Sequence, residues 1–150
     1  MPTLAKAIPS GNLTLSEWAD KYRRLSAETS SEAGRWHTNR IPYSREIMDA
    51  ISDPRIEIIA VMSAAQVGKT EILHNAIGYF SHYDPSPLMM MFPTLDLAKA
   101  WSKKRLVHLI NDSPALSEIF APIKSRSADN ELFYKRFVGG DLLIVGANSP

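Results

Sequence analysis

Residues 63–70 read SAAQVGKT and stand between the apolar run Ile56–Met62 and the helix-like run Glu71–Phe80. Strand, tight turn, Gly-Lys-Thr and helix, in that order, constrain the fold more than any other feature of the chain. This is the context in which a turn wraps a phosphate. The backbone N–H groups of such a turn point inward and cradle anionic oxygens, and the following helix aims the positive end of its dipole at the same spot. The loop then comprises Ser63, Ala64, Ala65, Gln66, Val67 and Gly68. Lys69 reaches the outer phosphates of a nucleoside triphosphate, and the Thr70 hydroxyl ligates Mg²⁺. Ser63 stands where the pattern G-x-x-x-x-G-K-[ST] has its first Gly; Ser is small and turn-tolerant, so the bend is retained.

A chain of 150 residues reads as one domain with enough apolar content, 45%, to bury a core. The net charge of +1 creates no global field that demands a polyanionic partner, so any nucleic-acid contact must come from local patches. With no cysteine, neither a disulfide framework nor a thiolate zinc site is available. The N-terminal residues have no signal-peptide apolar region, and no run approaches the roughly 18–20 apolar residues of a membrane span. The expectation is a cytoplasmic protein with no membrane partner.

Residues 1–13 carry Pro2, Pro9 and Gly11 and read as a loose arm. Thr14 or Ser16 caps a helix to about Ser26, with Leu15, Trp18, Ala19, Tyr22 and Leu25 at helical spacing. Residues 1–35 thus form an arm and helix, and 36–150 the start of the main domain. Tyr43–Ile51 is a second helix, ended by Asp53-Pro54. Ile56–Met62 and Leu88–Phe92 are of strand length without clean alternation, as in central strands covered on both faces. Helices are expected at Lys69–Ser81 and, capped by Thr94, at Leu95–Asn111, with Leu97, Trp101, Leu106, Leu109 and Ile110 inward. Strand–helix–strand–helix indicates a βαβ unit, hence an α/β fold with a partial parallel sheet flanked by helices. Ser113–Phe120 reads as a short helix. Glu131–Val138 and Leu142–Val145 read as a C-terminal β-hairpin turning at Gly139-Gly140-Asp141.

Nucleotide hydrolysis usually needs an acid at the end of a second strand, to hold the Mg²⁺ shell and activate water. No apolar run downstream of Lys69 ends that way. Asp141 opens its run instead of closing it, while Asp96 and Asp112 read as helix-terminal acids. The chain carries the first half of such a site, and the second half is expected beyond residue 150. His37, His74, His82 and His108 show no metal-ligand spacing and are assigned no chemistry.

The segments PYSREIMDAISDP (42–54), VMSAAQVGKTE (61–71), DPSPLMMMFPT (84–94) and LIVGANSP (143–150) resemble, in order and spacing, the GpA-type large terminase subunits of tailed bacteriophages and prophages. The resemblance runs from about Trp36 to the end. It implies a P-loop NTPase fold of the RecA/helicase-like, additional-strand type, with ATP and Mg²⁺ as cofactors. It further implies a motor driving double-stranded DNA into a procapsid of the bacterial host cell, with a small terminase subunit, a portal ring and a homo-oligomeric full-length assembly as partners. A nuclease domain would follow the region in hand. Lys69 and Thr70 match the phosphate and Mg²⁺ positions, and Gln66 and Gly68 match the loop. Tyr43 and Arg45 fall in the segment that sandwiches adenine in helicase-like ATPases, where Tyr43 would stack on the base and Arg45 would add a cation–π or hydrogen-bonding contact. Pro93-Thr94 matches a segment that faces DNA in related motors, although Thr94 also suits a helix N-cap. Ser44 stands where many such motors carry Gln, and Ala65 where many carry Arg, so any arginine finger must come from elsewhere or from a neighbouring subunit.

Lys99, Lys103, Lys104 and Arg105 fall on the helix after Thr94, interleaved with Trp101; Lys135-Arg136 lies in the hairpin, near Lys124 and Arg126. Such groups suit salt-sensitive, sequence-independent contacts to DNA phosphates, or simply a solvated face. Two other functions fit the same residues. One is a helicase-like ATPase that remodels nucleic acid; the other is an inactive prophage remnant acting as a binding module.

Overall fold

The computed structural model describes residues 12–120 and 130–148. Most of the expected N-terminal arm, together with Lys124 and Arg126, lies outside the described residues. Helix α1, Leu15–Tyr22, starts at Thr14. The Thr14 hydroxyl accepts from the Glu17 N–H, and the Glu17 carboxylate accepts from the Thr14 N–H, which satisfies two otherwise orphaned donors. Leu15, Trp18 and Ala19 are fully buried, as the helical spacing predicts. The helix stops four residues short of the expected Ser26. At Arg23 the backbone turns extended and the guanidinium reaches inward to Glu71. Strand β1, Arg24–Leu25, then pairs antiparallel with β2, Gly34–Arg35.

Helix α2, Ser44–Ile51, and helix α3, Lys69–His82, pack on α1 and on each other. Helix α3 is central, with Ile72, His74, Asn75, Ile77 and Tyr79 all buried. The turn after it leads into β3, Leu88–Phe92, and Thr94 caps α4, Leu95–Trp101, by accepting from the Leu97 N–H. The expected single helix continues, but not uniformly. Ser102–Leu106 is one wider π-helical turn before α5, Val107–Asp112. A four-residue helix, α6, follows at Pro114–Ser117.

A four-stranded sheet carries the C-terminal part, in the order β3–β6–β5–β4. Strand β4 is Asn130–Glu131, β5 is Tyr134–Phe137 and β6 is Gly140–Gly146. Strands β3 and β6 run parallel, with Leu88 opposite Leu142 and Phe92 opposite Gly146. Strands β5 and β6 form the expected hairpin, turning over Val138-Gly139. The sheet is therefore mixed, not purely parallel, and helices flank it. Leu142, Ile144 and Phe137 pack with Trp101, Leu106, Leu109 and Ile110 in one core.

Two sequence-based expectations change here. Ile56–Met62 has no regular secondary structure and joins no strand ladder among the described residues. All seven residues are exposed, Ile58 at 87%. Hydrogen-bonded pairs make a strand, and an apolar run without a neighbour does not become one. Strand β3 is also not covered on both faces. Leu88, Met90 and Phe92 lean on the core, whereas Met89 and Met91 are 62% and 60% exposed. Its five residues are apolar on both faces, so composition could not reveal which face the helices cover. Among the described residues no helix is long and apolar enough to cross a membrane.

Candidate functional site

The turn that precedes α3 is built from left-handed backbone. Gln66 has φ 58° and Gly68 has φ 83°. Gly is suited to that conformation, and at position 68 a Cβ would also come within 3.3 Å of Ile41 Cδ1. Left-handed residues on either side of Val67 turn successive N–H groups toward one concavity, which favours an anion. The N-terminus of the 14-residue helix α3 opens onto the same place. Lys69 folds its ammonium over the loop and donates to the carbonyls of Ser63, at 3.1 Å, and Ala64, at 2.7 Å.

The segment before this exposed run supports the turn. The Tyr43 hydroxyl donates to the Val67 carbonyl at 2.6 Å, while its ring stays 55% exposed. Ser44 is buried, with its hydroxyl on the Ile41 carbonyl. Arg45 lies elsewhere. Its guanidinium donates to Ser16 Oγ and Asn39 Oδ1 and sits 3.7 Å from Asp20, on the α1 side. Of the two residues expected at a base site, the structure brings Tyr43 to the loop and engages Arg45 with α1.

A cleft of about 590 Å³ opens beside the loop. Gln66, Gly68, Lys69 and Thr70 form one wall. Phe92, at the C-terminal end of β3, and the α4 stripe Leu97, Ala100 and Trp101 form the other, continued by Lys104 and Arg105. The volume falls within the roughly 300–1,000 Å³ of small-molecule sites. The position at the carboxyl end of a parallel strand is where open α/β sheets bind ligands. Leu97, expected inward, lines this cleft and leaves the core position to Ala98. Lys99 and Lys103 are exposed and do not line it.

A buried polar chain ties the two walls together. Arg23 donates to Glu71 at 2.7 Å, and His74 Nδ1 lies 3.2 Å from the other Glu71 oxygen. The Trp101 indole N–H donates to His74 Nε2 at 2.8 Å. An Nε2 that accepts leaves the proton on Nδ1, so His74 is a neutral donor to Glu71. Burial pushes the Glu71 carboxyl up, but the His74 hydrogen bond and the nearby charges of Arg23 and Arg105 together pull it below the ordinary carboxylate range. Burial lowers the Arg23 guanidinium, against the charges of Glu71 and Asp112. Of these residues the sequence marked only Trp101, as an inward position of its helix, and none as a member of a polar chain. The one available signal was the three-residue spacing of Glu71 and His74, which places them on one helix face.

Asp141 has no route to the cleft. It sits at the start of β6 and accepts from the Tyr134 hydroxyl at 3.2 Å. Gly146, at the other end of that strand, is about 16 Å away at roughly 3.3 Å per residue. Among the described residues no cluster of three or more His, Asp or Glu side chains is arranged to hold a metal ion. A loop hydroxyl serves a different type of site, because Mg²⁺ takes most of its ligands from phosphates and water. Thr70 on the cleft wall fits that requirement.

The model of the phage terminase large subunit gpA ATPase domain matches residues 30–150. The chain is 30% identical over 128 residues to the terminase large subunit of Enterobacteria phage P21. It is 31% identical over 127 residues to the terminase large subunit of Escherichia phage lambda. Both alignments cover 85% of this chain, which spans about a fifth of the length of each relative. No solved structure matches the chain.

Proposed function

Because the chain belongs to the phage terminase large-subunit gpA ATPase family, we propose that it is the ATP-binding part of a viral DNA-packaging motor. The observation that carries this is the left-handed turn at Gln66 and Gly68, with Lys69 and Thr70 at its end and an open cleft beside it. In the bound state the loop N–H groups and the α3 N-terminus hold the phosphates. Lys69 leaves the Ser63 and Ala64 carbonyls for the outer phosphates, an exchange of neutral acceptors for charged ones. Thr70 would hold Mg²⁺ through its hydroxyl, and the ion would offset phosphate charge. Tyr43, already held at the loop through Val67, offers an exposed ring face to the base.

The fold proposed is that of a P-loop NTPase of the RecA/helicase-like type. The longer protein would couple ATP hydrolysis to movement of double-stranded DNA into a procapsid. Its partners would be a small terminase subunit, a portal and further copies of itself, in the host cytoplasm. Thr94, Lys99 and Lys103 supply local contacts to DNA phosphates, without base recognition. The one acid lining the cleft among the described residues, Glu71, is engaged with Arg23 and His74 and ends no strand, so this region binds nucleotide and turns it over poorly by itself. Calorimetric titration of the chain with Mg-ATP and with duplex DNA, each at two salt concentrations, tests the assignment. Saturable, Mg²⁺-dependent ATP binding supports it; no heat with Mg-ATP at either salt contradicts it.

A further inference from the structure

The six loop residues Ser63–Gly68 carry no charge, so Lys69 is the one cation the loop itself brings to a polyphosphate. The opposite wall of the cleft supplies two more. Lys104 and Arg105 continue the helix face defined by Leu97, Ala100 and Trp101, and both line the cleft with Lys69 and Thr70. The π turn at Ser102–Leu106 accompanies this placement. An added residue in a helical turn shifts the face that follows. Here Leu106, Leu109 and Ile110 stay in the core while Lys104 and Arg105 are exposed toward the loop. Such wider turns recur at functional sites.

The cationic wall is held in place. Trp101, one residue before the π turn, is fixed to His74 of α3, and through Glu71 to Arg23. Ser102, the first residue of that turn, donates to the Leu132 carbonyl at 2.6 Å. The Arg105 guanidinium makes one long hydrogen bond, 3.5 Å to the Thr29 carbonyl, in an exposed position, and otherwise acts on Glu71 through its charge alone. It is a charged fork on a fixed helix with capacity left for a ligand.

We propose that Lys104 and Arg105 are nucleotide-binding residues that grip the terminal phosphate of a nucleoside triphosphate seated in the loop, and so distinguish triphosphate from diphosphate. This rests on the loop's binding the inner phosphates, as proposed above. It separates the basic residues of this helix into two groups. Lys99 and Lys103 remain on the outer surface, and Lys104 and Arg105 belong to the nucleotide. Ala65 brings no charge to the terminal phosphate, and Arg105 supplies it from the same chain.

The test is titration of the 150-residue chain with fluorescent Mg-ATP and Mg-ADP analogues and with duplex DNA. The variants are Arg105→Ala, Arg105→Lys, Lys104→Ala, Lys103→Ala and Lys69→Ala. All these side chains except Lys69 are exposed, and a melting curve confirms that each variant folds. Arg105→Ala and Lys104→Ala are expected to weaken ATP binding about tenfold, as loss of a charge-assisted hydrogen bond does, and ADP binding less than about threefold. Arg105→Lys recovers part of the loss, and Lys103→Ala, at a residue assigned to duplex contacts, lowers duplex binding without changing the ratio of ATP to ADP affinity. An unchanged ratio of ATP to ADP affinity in Arg105→Ala and Lys104→Ala overturns the inference, whatever Lys69→Ala does. If that ratio is unchanged while duplex binding falls, the two residues are DNA contacts. If Lys69→Ala also binds ATP normally, the underlying site assignment fails with it.

Discussion

The indole N–H of Trp101 donates to Nε2 of His74 across 2.8 Å, joining the helix that leaves the loop to the helix that faces it. Both side chains are buried, and their rings lie 5.8 Å apart. Trp101→Phe keeps most of the packing and leaves the imidazole nitrogen without its donor. The expected cost is about 1–3 kcal/mol, the range for an unsatisfied buried polar atom. Urea unfolding of Trp101→Phe, Glu71→Gln and the double variant measures the coupling. A chain acting as a unit gives a coupling above about 0.5 kcal/mol. Strict additivity would mean the bonds act separately.

Acid should weaken the same network. The Glu71 carboxyl sits below the ordinary carboxylate range in the folded chain. The folded state therefore holds this proton more weakly than the unfolded state, and stability rises with pH through that window. The contribution is fully present above the unfolded carboxylate value and is lost as pH falls through the lower folded value. Glu71→Gln should flatten the acid side of the stability curve relative to the parent protein. Equally steep curves for both proteins would exclude Glu71 as a source of acid sensitivity.

The exposed run between α2 and the loop should tolerate charge. Ile58 is 87% exposed and Met62 fully so. Ile58→Lys and Met62→Lys are expected to change the stability of this chain by less than about 0.5 kcal/mol. By comparison, Leu142→Ala, at a fully buried position in β6, should cost about 2–5 kcal/mol. If Ile58→Lys matches Leu142→Ala, this segment is packed in solution as a central strand.

Helices α1 and α3 meet where no side chain fits. A Cβ at Gly78 would fall 2.2 Å from Trp18 Cη2. Gly78→Ala must push the indole aside and, through it, strain the Trp18 Nε1 bond to His82. The predicted loss is about 1–3 kcal/mol despite the better helix propensity of Ala. A stabilised variant would contradict this packing.

What could be read in the sequence was local. The cap at Thr14, the Thr94 cap, the hairpin turn near Gly139 and the α1 stripe are each set by residues within a few positions of one another. The loop belongs to the same class, because its turn, lysine and helix are contiguous. What escaped was relational. Ile56–Met62 has strand composition, but pairing depends on a neighbour that composition cannot name. Arg23, Glu71, His74 and Trp101 come from three separate stretches of chain and meet only after α1, α3 and α4 have packed. The π turn shows in the sequence only as a five-residue step between the inward Trp101 and Leu106, and it accompanies Lys104 and Arg105 onto the cleft wall beside Lys69.

The Lys69 ammonium, resting on the Ser63 and Ala64 carbonyls, provides the most direct check on the whole account. The decisive measurement is the affinity of a fluorescent Mg-ATP analogue for the chain and for its Lys69→Ala variant, with melting curves confirming that both are folded. A loss of about tenfold or more is predicted, in line with removal of a charge-assisted phosphate contact. Undiminished binding by a folded Lys69→Ala variant would contradict the assignment of the loop as the phosphate site.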